Sequence, residues 1–176
     1  MVQHKRSWLS LQELEALIGT AGGYERPVDP YFPLRTLFIA LLSGAAAIAL
    51  ITAPKEIAAS VFSSPELVDR YAGVFYLRGL LMLVLIAVAW YSYTYGKYTG
   101  IVFLTVAVSA STNLVADVLE VYPTRFINPS WEFTAILLLR LTAWSFTIIN
   151  VLRCAELPAV GDRWNFRLLR ERLTAD

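Results

Sequence analysis

The chain has 176 residues, of which 57% are hydrophobic and only 16% charged, with a formal net charge of +1. A soluble domain of this length is usually about a quarter charged, so the composition points to a single membrane domain and excludes the basic surface of a nucleic-acid binder. The only cysteine, Cys154, and the only histidine, His4, exclude an intrachain disulfide, a cysteine metal cluster and a bis-histidine haem; no cofactor and no metal are implied.

The N-terminus carries His4, Lys5 and Arg6, but no continuous apolar run follows, so no secretory signal is read there. Ser10 and Glu13 fit a capping box, in which each satisfies the other's free amide group. Leu11, Leu14, Leu17 and Ile18 then share one face of a short amphipathic helix that Gly22 and Gly23 end. Glu13 and Glu15 make its far side acidic, which suits a protein neighbour better than anionic lipid. Pro27, Pro30 and Pro33 stiffen the approach to the first span and complete a cytoplasmic segment over residues 1–33.

The first span is read at about residues 34–53. Ser43, Gly44, Ala46 and Ala47 form a small-residue surface of the kind that lets membrane helices approach closely, or else reflect ordinary membrane-helix composition. A linker follows over residues 54–70. Within it Ile57, Val61 and Phe62 suit a short interfacial helix, and Ser64-Pro65 reads as a helix start. The second span, about residues 71–91, contains Arg78 and leaves through Trp90, Tyr91, Tyr93 and Tyr95, an aromatic belt at the headgroups. Gly96-Lys97 makes the turn.

The third span, about residues 99–121, is the polar one. Thr105, Ser109, Asn113 and Asp117 recur every four residues, with Thr112 and Glu120 alongside, so one helical face is polar. Such a face belongs against protein or water rather than lipid. Pro123 ends it, Asn128-Pro129 signals the next start, and the fourth span is read at about residues 131–152 with Arg140 inside. Arg140, Ala143, Thr147 and Asn150 form one stripe on that span. The tail, residues 153–176, carries Arg163, Arg167, Arg170 and Arg172, with Trp164, Leu168 and Leu169 making part of it a basic amphipathic helix.

Basic residues set the orientation. Lys5, Arg6, Arg26, Arg35, Lys97, Arg153 and the tail arginines fall on one side, against Lys55, Arg70 and Arg125 on the other, so both termini are expected in the cytoplasm. The fold class expected is all-α: an integral membrane four-helix bundle, N-in and C-in, with a short amphipathic helix at each end, in a plasma (inner) membrane.

Three ionisable residues lie deep in the spans. At a rise of about 1.5 Å per residue, Arg78 is roughly 10 Å from Tyr71, Arg140 roughly 13 Å from Trp131, and Asp117 roughly 8 Å from Tyr122. All three depths are measured from the non-cytoplasmic side, so the residues share a layer. An unpaired charge there costs several kcal/mol, so Asp117 is expected to pair with Arg78 or Arg140, supported by Asn113 and Thr112, with Glu120 serving the second arginine. The cluster is either a structural pair that fixes helix register or a ligand or ion site, since two guanidinium groups suit an anion.

No P-loop, dinucleotide fingerprint, zinc helix or nucleophile elbow occurs, so no enzyme is expected. The function expected is a non-enzymatic membrane subunit, sensor or scaffold. It would associate with itself or a membrane partner through small-residue faces and offer its ends to a cytoplasmic protein. The alternative is a small oligomeric transporter or channel with a polar path along the third span.

Overall fold

The computed structural model of the chain describes residues 28–120, 130–167, 169, 170 and 174, the side chains of Val118 and Glu120 excepted. The expected N-terminal capping box and amphipathic helix, Pro123, and Asn128-Pro129 lie outside the described residues. The described residues form five α-helices and no strand: α1 (Phe32–Thr52), α2 (Pro54–Val61), α3 (Pro65–Tyr95), α4 (Thr99–Glu120) and α5 (Trp131–Leu152). All but α2 are long and apolar enough to cross a membrane. Their outward faces carry Leu41, Ile48, Leu77, Val84, Ile101 and Leu138, all more than half exposed, as lipid-facing positions require.

The helix boundaries follow local chemistry. Pro54 disfavours helical backbone at Ala53, which leaves the helical region at φ −130° and separates α1 from α2. Pro65 opens α3 with Ser64 before it, although the Ser64 side chain makes no cap bond. At 31 residues, α3 outruns the expected 71–91 at both ends; its ~46 Å length exceeds the ~30 Å apolar thickness of a bilayer. Its added first turns carry Glu66, Asp69 and Arg70, all exposed, so a helix continues here past the apolar run that marks a span. Gly96 ends α3 in the left-handed region at φ 73°. A Cβ there would also lie 2.6 Å from Val160 Cγ2, so the turn needs glycine twice over. On α5 the cap is Ser130, whose hydroxyl accepts from Phe133 N at 3.3 Å and donates to Ser60 Oγ at 2.9 Å.

α1 and α3 pack through small residues. A Cβ on Gly79 would lie 2.9 Å from the Ala47 carbonyl and 2.8 Å from Ile51 Cγ1, so glycine is what lets the two backbones meet. Ala46 and Ala47, the centre of the stripe expected to face a partner, are fully buried within the chain. Gly44 looks onto open space. The linker residues expected at the membrane interface are core instead. Ile57, Ala58, Val61 and Phe62 pack with Leu50, Phe75, Phe133 and Ile136 into one apolar cluster. A second cluster holds Phe32, Ile39, Tyr93 and Phe103 at the opposite end of the bundle, with Trp164 against it. At that end the segment before α1 meets the segment after α5, Asp29 N donating to Glu156 O at 3.0 Å.

In the tail, Trp164 lies ahead of the helix expected to include it: Arg167, Leu169 and Arg170 are helical, and Leu168 and Arg172 lie outside the described residues. The chain leaves α5 through two single 3₁₀ turns, Cys154–Glu156 and Val160–Asp162, and Arg163 and Trp164 follow in a turn, pressed into the bundle.

Candidate functional site

The layer of charge expected from depth alone is present, and it is tighter than the expected pair. Asp117 is fully buried on α4. One of its oxygens accepts from Arg78 Nη1 on α3 and the other from Arg140 Nη1 on α5. Three helices are thereby tied at one level by one carboxylate. Each oxygen thus has a hydrogen-bond donor, and each arginine gains the opposite charge that an apolar setting demands.

The neighbours expected to support this cluster do otherwise. Asn113 Nδ2 donates to Ser109 O at 2.9 Å and Thr112 Oγ1 to Val108 O at 3.0 Å, each within its own helix one turn back. Short polar side chains in apolar surroundings find the nearest carbonyl, and that carbonyl is local. Thr112 faces outward; the Glu120 side chain is outside the described set.

The α5 stripe does face the centre. Arg140, Ala143, Thr147 and Asn150 are all buried, between 8% and 0% exposed. Asn150 ends the stripe in a second polar knot: its Oδ1 accepts from Arg35 Nε at 2.7 Å and its Nδ2 donates to Thr36 Oγ1 at 3.2 Å. Arg35 also pairs with Asp29.

Between these two polar levels lies a cavity bordered by all four long helices. It holds some 620 Å³ of unfilled space counting its open mouth, of which about 60 Å³ is deep enough to centre a water molecule. Most of its wall is apolar; Ser43, Ser109, Asn113, Thr147 and Arg140 are its polar members. Of the expected helix-packing residues, then, Ser43 borders this space, Ala46 and Ala47 pack inside the chain, and Gly44 faces outward.

Sequence reading missed Arg163. Counted there only among the basic residues of the tail, it is 7% exposed. Its Nη1 donates to Tyr93 O at 2.6 Å and Thr99 Oγ1 at 2.9 Å, its Nε to Pro158 O at 3.3 Å, and its own carbonyl accepts from Tyr93 OH at 2.6 Å. Burial pushes its guanidinium below its ordinary pKa, and the nearby Tyr93 opposes this. The one hint in the sequence was its neighbour Trp164, too large and apolar for a freely solvated tail. Trp164 lies 4.4 Å from Trp90 between ring centroids and donates from Nε1 to Thr94 Oγ1.

No cluster of three or more His, Cys, Asp or Glu suited to a metal is found among the described residues. Compared with known protein families, curated proteins and solved structures, the chain matches none.

Proposed function

We propose that this multi-pass membrane protein is a non-enzymatic subunit or scaffold of a membrane complex, with both ends in the cytoplasm. The observation that carries this reading is the state of Asp117. The deep acid is fully buried and both its oxygens are held by arginines from other helices, so it serves as a fastener of three helices. The surface left for partners lies on the outer side of α1, where Gly44 is uncovered beside exposed Leu41 and Ile48. The charge asymmetry of the loops supports termini on the inside.

Gly44→Leu tests the assembly. The chain has nothing within 4 Å of a Cβ there, so the monomer fold tolerates the change, and the expected result is a smaller particle in mild detergent at unchanged yield. A wild-type protein that is itself a stable monomer in mild detergent would overturn the reading.

The central cavity favours a second reading, a small transporter whose path runs past Ser109, Asn113 and Arg140. It predicts that Asn113→Leu abolishes flux in vesicles while leaving particle size unchanged.

A further inference from the structure

Most hydroxyls of the membrane spans are satisfied within their own helix. Thr36, Thr105, Ser111, Thr112, Ser145 and Thr147 each donate to the carbonyl four residues earlier, which is how a hydroxyl is paired where bulk water is absent. Ser43 on α1 and Ser109 on α4 break the habit. Among the described residues neither hydroxyl has a hydrogen-bond partner.

Both residues line the central cavity, from different helices. Ser43 lies one turn from Ile39 and one turn from Ala47, both buried, so it stands on the inward face of α1. No described side-chain oxygen is both sealed off and unpaired, so the two unpaired hydroxyls border free space. Asn113 lines the same cavity and commits its amide nitrogen to Ser109 O, which leaves Oδ1 open as an acceptor. Thr147 lines it as well; its hydroxyl donates to Ala143 O and keeps lone pairs to accept with.

Space and chemistry together select the occupant. About 60 Å³ of the cavity is deep enough to centre a water molecule. A water needs roughly 10–15 Å³ of such space and about two to four polar partners. A cavity with apolar walls alone stays dry, but here polar side chains of α1, α4 and α5 border one small volume.

We infer that the central cavity is an internal water site, holding a few ordered molecules between Ser43, Ser109, Asn113 and Thr147. The hydroxyls of Ser43 and Ser109 donate to these waters, which donate in turn to Asn113 Oδ1 and Thr147 Oγ1. The site accounts for the polar face of α4 at the level of Ser109 and Asn113 with no ligand other than water. It also gives α1 and α4 a polar joint, where their backbones come close at few points. Nothing in it depends on the subunit reading, because its readout is local hydration and not particle size.

The test is radiolytic footprinting of the full chain in phosphatidylcholine nanodiscs. An X-ray pulse turns bound water into hydroxyl radical, which oxidises reactive side chains beside it. Met82 lines the cavity, and its thioether oxidises to the sulfoxide, so it is the reporter, read by mass spectrometry. The comparison is the methionine introduced by Val84→Met, at a position of the same helix 58% exposed on the lipid side. Met82 should oxidise faster than that methionine. Ser43→Ala combined with Ser109→Ala should slow Met82 oxidation about fivefold, the factor that one net hydrogen bond is worth.

Xenon reads the same cavity in the opposite sense, because it enters dry apolar cavities. Xenon NMR of the wild type should show no specific binding, and the double alanine variant, its cavity dried, should gain it. Met82 oxidising no faster than the introduced methionine overturns the proposal. So does xenon bound by the wild type, or a folded double variant whose Met82 oxidises at the wild-type rate. Should the double variant fail to fold, the Val84→Met comparison and the wild-type xenon measurement decide.

Discussion

The bundle is fastened by arginine at two levels, one deep in the spans and one at an end, in different ways. In the charge layer, Arg78 and Arg140 meet a carboxylate. At the end, Arg163 meets two backbone carbonyls and a hydroxyl, with no carboxylate partner among the described residues. The difference follows depth. A guanidinium flanked only by apolar helices needs an opposite charge to be held there. A guanidinium at a helix–turn junction can be satisfied by the carbonyls that helix ends and turns leave unpaired. The first arrangement joins three helices that are far apart in sequence; the second pins a tail onto a finished bundle.

The largest effect that would break this comparison is Asp117→Ala. It takes the carboxylate from Arg140 and from Arg78 at membrane depth, and removing one partner of a buried ion pair costs about 3–5 kcal/mol. Folded yield in detergent should collapse. Replacing all three charges together, with Arg78→Met, Asp117→Leu and Arg140→Met, should recover most of that loss, since a packed apolar core can substitute for a buried ion pair. A triple variant as unstable as Asp117→Ala would show that the layer does something besides balancing its own charge.

Next in size is Arg163→Ala. Three donated hydrogen bonds go, at about 1 kcal/mol net each, and Trp164 loses the turn that sets it against Trp90 and Tyr93. Tail protease sensitivity should rise and tryptophan fluorescence shift, while helix content by circular dichroism stays the same. Helix loss on the scale of Asp117→Ala would mean that the tail is part of the bundle's fold and not an attachment to it.

What was legible in the sequence divides along the same line. The spans showed because lipid demands unbroken apolar length, and the charge layer showed because depth can be counted along a helix. The inward stripe of Arg140, Ala143, Thr147 and Asn150 showed because helical period orders it. Where a polar group has several partners in reach, the sequence does not choose among them. Asn113 and Thr112 took their own helix carbonyls, Ile57 and Phe62 took the core over the interface, and Ala47 took Gly79 of its own chain, a choice visible only once α1 and α3 are crossed. Arg163 was hidden because two of its three acceptors are main-chain atoms, and every residue type carries those alike.

The smallest effect sharpens the contrast between what is fastened by charge and what is fastened by neutral hydrogen bonds. Ser130 caps α5 and also bridges to Ser60, which in turn donates to Ile57 O at 2.7 Å. One hydroxyl thus joins the start of the last span to the end of α2. Ser130→Ala should cost about 1 kcal/mol, the usual worth of an N-cap. Ser130→Asp should keep the cap and place negative charge at a helix N-terminus where the dipole favours it, while losing the hydroxyl that donates to Ser60. The expected order of thermal stability in detergent is wild type and Ser130→Asp close together, with Ser130→Ala below both. If Ser130→Asp instead falls with Ser130→Ala, the Ser60 bridge, with its need for a donor at position 130, matters more than the cap.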